Sequence, residues 1–141
     1  MSDLGASSSI TVDAPIEKVW RALTTPELIK TWFFGVDTES DWEAGSSIVH
    51  RGEWQGKPYE DRGEILKIDP PRLLVHTHWS DTSGLPDRAE NYQEVTWALE
   101  QEGPKTKLTV TERNLPSEEA KTVSEDGWKA ALTGLKSVLE G

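Results

Sequence analysis

Glu64-Ile65-Leu66-Lys67-Ile68-Asp69-Pro70-Pro71-Arg72-Leu73-Leu74-Val75-His76-Thr77 reads as two strands joined by a proline turn, and this stretch decides the fold class. Centring the turn on Pro70-Pro71 sets Ile68 against Leu73, Leu66 against Val75 and Glu64 against Thr77. The apolar partners then share one face, as a half-buried antiparallel sheet requires. A second hairpin, centred on Gly103-Pro104, pairs Leu99 with Leu108, Trp97 with Val110 and Val95 with Glu112. A slip of one residue would send either set to the wrong face, so the pattern predicts both registers. Gln55-Gly56-Lys57-Pro58 adds another turn, and strands are expected from about Ser46 to Arg113. The strand before Gly56 admits two registers. One turns Ile48, His50 and Trp54 inward; the other turns Val49 and Arg51 inward.

Helices flank this β region. Ser8 to Val12 reads as a short strand, after which Asp13-Ala14-Pro15-Ile16-Glu17 carries a helix-start signal. Ile16, Val19, Trp20 and Leu23 follow at helical spacing. Thr25-Pro26-Glu27 repeats the signal, with Thr25 as N-cap, for a second short helix that bears Leu28, Ile29, Trp32 and Phe33 and ends at Gly35. Pro116-Ser117 opens the last element, with Ser117 as N-cap. Ala120, Val123, Trp128, Ala131, Leu132, Leu135, Val138 and Leu139 then predict one amphipathic helix of about twenty residues. Gly127 and Gly134 inside it each cost about 1 kcal/mol relative to Ala, so something is expected to approach the helix backbone closely, a strand or a ligand.

Composition narrows the function classes. A length of 141 residues suits one domain, residues 1–141, with a core large enough to need no staple. There is no cysteine, which excludes disulfides, thiolate metal sites and a cysteine nucleophile and fits a cytoplasmic location. Residues Met1 to Ser9 lack the apolar core of a signal peptide, and no apolar run is long enough to span a bilayer. With 15 basic against 25 acidic residues the net charge is −10, so neither nucleic acid nor membrane insertion is expected. Seven tryptophans against two phenylalanines is the unusual feature, because nearly every element contributes one.

The order strand, two short helices, antiparallel strands, long C-terminal helix resembles the helix-grip fold of the START and birch-pollen-allergen superfamily. Local stretches resemble its AHSA-type branch, named after an activator of the heat-shock protein 90 ATPase. They are Ile10-Thr11-Val12-Asp13-Ala14-Pro15 with Val19-Trp20 and Leu23; Thr25-Pro26-Glu27-Leu28 with Trp32-Phe33; Gly63-Glu64-Ile65 running to Asp69-Pro70-Pro71-Arg72-Leu73; and Gly127-Trp128 with Leu132 and Leu135. Ala44-Gly45-Ser46 departs from the pattern, since many relatives carry a Gly-Gly pair there. The resemblance implies an α+β fold in which a curved antiparallel sheet wraps around the C-terminal helix. It also implies one of three activities: binding of a lipid, polyketide or hormone, aromatic cyclisation or dehydration, or association with a chaperone.

A curved sheet that meets a helix along part of its length leaves a gap lined by inward side chains. The two hairpin registers turn Arg62, Glu64, Thr77, Trp79, Val95, Trp97 and Glu112 inward, against Trp128, Ala131, Leu132 and Leu135 of the helix. Trp32, Phe33 and Phe34 are placed to close one mouth, and His50 joins the set in one of its two registers. The candidate ligand-binding residues are therefore Trp32, Phe33 and His50; Arg62, Glu64 and Trp79; and Trp97, Glu112, Trp128 and Leu132. An inward acid needs a partner, and Arg62 with Glu64 or Glu112 would supply one. His76-Thr77-His78 puts two histidines on one strand face, which the hairpin register assigns to the side away from the core. Two histidines alone do not make a zinc site, so no metal is expected. No phosphate loop, nucleophile elbow or HExxH stretch occurs, and no cofactor is expected. Three functions stand in order: carriage of a small hydrophobic molecule, a cyclase or dehydratase using an inward acid or His50 as base, and partnership with a chaperone or self-association.

Overall fold

The computed structural model describes residues 4–80 and 84–140. Met1 to Asp3 of the N-terminal reading lie outside the described residues, as does the side chain of Trp54. Strand β1 (Gly5–Val12) leads into helices α1 (Ile16–Thr24) and α2 (Pro26–Trp32). Strands β2 (Asp37–Ser40), β3 (Ser47–Trp54), β4 (Lys57–Asp69), β5 (Leu73–Ser80), β6 (Gln93–Glu102) and β7 (Lys105–Arg113) follow, and then helix α3 (Glu118–Glu140). All seven strands form one antiparallel sheet in the order β1-β7-β6-β5-β4-β3-β2. The sheet curves about α3, giving the α+β helix-grip fold.

Local chemistry sets the element ends. Pro15 caps α1 from an extended conformation, and Val19, Ala22 and Leu23 bury its inner face. Pro26 starts α2 after Thr25, whose hydroxyl makes no capping bond. Ser117 does cap α3: its Oγ accepts the Ala120 N–H at 3.1 Å. Ile65, Leu74, Leu108, Leu132 and Leu135 are fully buried between sheet and helices, each worth about 1.5–3 kcal/mol of burial. The two helix glycines differ. A Cβ on Gly134 would stand 3.0 Å from the Trp32 carbonyl oxygen, so α2 packs directly on the α3 backbone there, whereas a Cβ on Gly127 would meet nothing within 4 Å.

The β6–β7 register is the expected one, with Leu99 opposite Leu108, Trp97 opposite Val110 and Val95 opposite Glu112. The β4–β5 hairpin differs. Near the turn Ile68 lies opposite Leu74 and Lys67 opposite Val75, and an irregularity between Ile65 and Lys67 then restores Ile65 opposite His76 and Arg62 opposite Trp79. One extra residue in a strand flips the facing of everything beyond it. Leu66 is consequently 45% exposed while Ile65 is fully buried. On β5 the inner face carries Leu74, His76 and His78; Thr77 and Trp79 face outward with Arg62 and Glu64 of β4.

That inversion corrects three expected site residues. Arg62 and Glu64 are exposed on the outer face. Arg62 pairs with Glu60 and Asp87 there, not with an inward acid. Trp79 is buried, but beneath the segment from Leu85 to Tyr92: its Nε1–H donates to the Leu85 carbonyl, its ring stacks on Tyr92, and Arg62 lies 5.3 Å above it. Both faces of β5 are thus covered, which is why its alternation misleads. In β3 the structure selects the register with Ile48 and His50 inward, and Arg51 bonds Glu39 and Glu60 outside. Where β4 meets β5, Gly63 is mandatory, because a Cβ would lie 1.7 Å from the Thr77 carbonyl oxygen.

Candidate ligand-binding site

A cavity of about 290 Å³ lies between the inner face of β3 to β7 and the N-terminal half of α3. Its apolar walls are built from α2 and the turn after it (Ile29, Trp32, Phe33, Phe34), from Trp97 of β6 and from Trp128 of α3. Trp97 stands edge-on to Trp128, with ring centroids 5.2 Å apart at 89°, and edge-on to Trp32 at 6.1 Å. Phe33 lies nearly parallel to Trp128 at 6.3 Å. Each of the three tryptophans donates its indole N–H to a fixed acceptor: Trp32 to the Ala22 carbonyl at 2.8 Å, Trp97 to His76 Nε2 at 3.1 Å, and Trp128 to Glu112 Oε1 at 3.0 Å. With the N–H groups held, the rings are locked and their faces remain for contact. Phe34, 65% exposed, and Gly127 stand at the rim, where the cavity reaches the surface.

A polar row crosses the opposite wall. Thr38 of β2, His50 of β3 and Asp61 of β4 are successive cross-strand partners, so they share the inner face. The Thr38 hydroxyl and His50 Nδ1 are 2.9 Å apart, and His78 Nε2 lies 3.1 Å from Asp61 Oδ2. His76 sits behind Trp97, with Nδ1 donating to the Thr77 carbonyl at 2.9 Å and Nε2 accepting from the indole, which defines a neutral tautomer. Burial pushes His76 down to about 4. Desolvation, with repulsion from His76 and His78, takes His50 down to about 3. Burial raises the Asp61 carboxyl, but bonds from His78 and Ser80 outweigh it and hold the group below the usual carboxylate range. Asp61 Oδ1 and His78 Nδ1 are buried without a hydrogen-bond partner. Among the described residues no three His, Asp or Glu side chains are grouped to hold a metal ion.

Of the residues singled out from sequence, Trp32, Phe33, His50, Trp97, Glu112 and Trp128 line this one cavity. Leu132 is 1% exposed in the core beneath it and does not line it. Arg62, Glu64 and Thr77 line an outer groove instead, whose wall is charged through Glu60, Arg62, Glu64 and Asp87 and carries Tyr92 as its one aromatic ring among the described residues. Sequence reasoning passed over Asp61 and placed His76 and His78 on the side away from the core, whereas both line the cavity and His76 is buried. The β5–β6 pairing, which sets Leu74 against Trp97 and His76 against Val95, carries the signal that would have found both histidines. No helix among the described residues is long and apolar enough to cross a membrane.

Comparison with known proteins follows the same lines. The family described as activator of Hsp90 ATPase homolog 1-like protein matches residues 13–140. No curated protein matches the chain. The solution structure of ChR145 from Cytophaga hutchinsonii is similar at a TM-score of 0.85 and 43% identity, over 99% of this chain and 96% of that one. CalU16 from Micromonospora echinospora is similar at a TM-score of 0.75 and 28% identity, over 96% of this chain and 75% of that one. The Aha1 dimer from Colwellia psychrerythraea shares the fold, with a TM-score of 0.77 at 22% identity over 97% and 96% of the two chains. Fold, topology and the extent of the family match together establish that the chain belongs to the activator of Hsp90 ATPase homolog 1-like family, the AHSA branch of the START and birch-pollen-allergen superfamily.

Proposed function

We propose that the protein binds a small aromatic or otherwise hydrophobic molecule in the cavity between the sheet and α3. The observation that carries this reading is the set of three tryptophans, N–H groups tied off and rings locked, bordering unfilled space. A cavity of about 290 Å³ falls at the small end of ligand sites, which run from roughly 300 to 1,000 Å³, so one or two fused rings suit it. Titration with a bicyclic aromatic such as 1-naphthylmethanol, followed by calorimetry, tests it. Saturable one-to-one binding is expected, weakened about tenfold in Trp128→Ala through loss of one ring contact. Trp97→Phe serves better than Trp97→Ala, because removing a ring that is 6% exposed and bonded to His76 would also damage the core. No binding by the wild-type protein, or unchanged affinity in Trp128→Ala, would sink the reading.

One observation favours a second reading, a cyclase or dehydratase acting on a polyketide-like substrate. His78 and Asp61 form a paired imidazole and carboxylate on the cavity wall, each with a further polar atom left unsatisfied. Such a pair is suited to taking a proton from a bound substrate. Binding without turnover separates the two readings.

A further inference from the structure

The cavity of the proposed binding reading has a one-signed lining. Two carboxylates, Glu112 and Asp61, stand on its wall, and among the described residues no lysine or arginine does. Glu112 is only 6% exposed. Its Oε1 accepts the Trp128 indole N–H, and no described residue bonds Oε2 or forms an ion pair with it. Arg51 and Arg62, the arginines nearest in sequence to Asp61, point the other way and are engaged with Glu39, Glu60 and Asp87. Imidazoles do not supply Glu112 with a partner: burial keeps His50 and His76 neutral at pH 7, His78 is engaged with Asp61 at 3.1 Å, and none of the three bonds Glu112. Glu112 thus presents an acid with one free oxygen on an otherwise largely aromatic wall, with no lysine or arginine on the lining to pair with it.

We propose that the ligand is an organic cation, an aromatic or lipophilic amine whose ammonium group meets Glu112 while its rings lie against Trp97 and Trp128. This rests on the reading of the cavity as a binding site and narrows it to one charge class. An ammonium gains twice here, from the carboxylate and from the negative faces of the surrounding indoles. An acid of the same shape would face Glu112 and Asp61 with no lysine or arginine to receive it, so fatty and aromatic acids are selected against.

Three probes of one shape test the proposal by calorimetry at pH 7: 1-naphthylmethylamine, 1-naphthylmethanol and 1-naphthoic acid. The amine is expected to bind one-to-one and about tenfold more tightly than the alcohol, with the acid weakest. The preference must persist in added salt, which screens the general attraction of a chain of net charge −10. Glu112→Gln keeps an acceptor for Trp128 and removes the charge, so amine and alcohol should then bind alike; Asp61→Asn should narrow the gap less. An amine no tighter than the alcohol overturns the inference and leaves the cavity reading intact. A preference unchanged in Glu112→Gln also overturns it. Failure of all three probes overturns both. The wild-type ranking decides the matter even if a variant does not fold.

Discussion

Helix α3 has two halves with opposite environments. From Ala131 onward it is embedded in the core through Ala131, Leu132, Leu135 and Leu139. Before that point Ser124, Gly127 and Trp128 border the cavity, and Val123 is 66% exposed. One amphipathic helix therefore seats firmly at its C-terminal end, against β1 and α2, and at the other borders the cavity, meeting the sheet there through Trp128. The difference shows how this fold separates stability from binding: the site can be open because the same element is anchored elsewhere.

Breaking the anchored half should have the largest effect. Leu135→Ala is expected to cost about 2–5 kcal/mol in urea unfolding, because Leu135 is completely buried and its surroundings cannot collapse fully. Acid attacks the sheet wall of the cavity instead, where His50 and His76 stand on β3 and β5. His50 and His76 titrate near 6.5 when unfolded but are held at about 3 and about 4 when folded. As pH falls below 6.5 the unfolded chain takes up these protons first, so stability drops, by about 1.4 kcal/mol per pH unit for each histidine. A loss of about 2–4 kcal/mol between pH 7 and 5 is expected, with a shallower slope in His50→Gln. Equal slopes in the variant and the wild type would remove His50 from the account.

The two helix glycines sharpen the contrast through opposite signs. Gly134→Ala places a methyl group 3.0 Å from a backbone oxygen that cannot easily give way, and should lose about 1 kcal/mol despite its better helix propensity. Gly127→Ala meets open space and should gain about 0.5–1 kcal/mol. It would also crowd the cavity rim. Thermal unfolding of the two variants reads both outcomes, and a matching sign at the two positions would contradict the division of α3.

Much of this arrangement was legible in the residues. The β6–β7 hairpin, the Ser117 cap and the helical stripe from Ala131 to Leu139 rest on local patterns strong enough to survive tertiary packing. The aromatic half of the cavity followed from them. Its polar half did not, for two physical reasons. Leu66 breaks the alternation of β4, and a strand covered on both faces, as β5 is by the core and by the Leu85 to Tyr92 segment, has no apolar face to read. Pairing across the long β5–β6 connection then decides which way His76 and His78 point, and no local turn encodes it. In β3 the alternation itself was balanced, so His50 could be placed only by the neighbouring strands.

Gly63 has a wider reach than its size suggests. Any side chain there would wedge the main chains of β4 and β5 apart, since even a methyl carbon would overlap the Thr77 carbonyl. Asp61 and His78 hang from those same two strands on either side of the pinch, joined by one 3.1 Å contact. The separation between acid and imidazole is therefore set by a position that contributes no atoms to either, and changes in ligand preference have to arise at the walls rather than at this hinge of bare backbone.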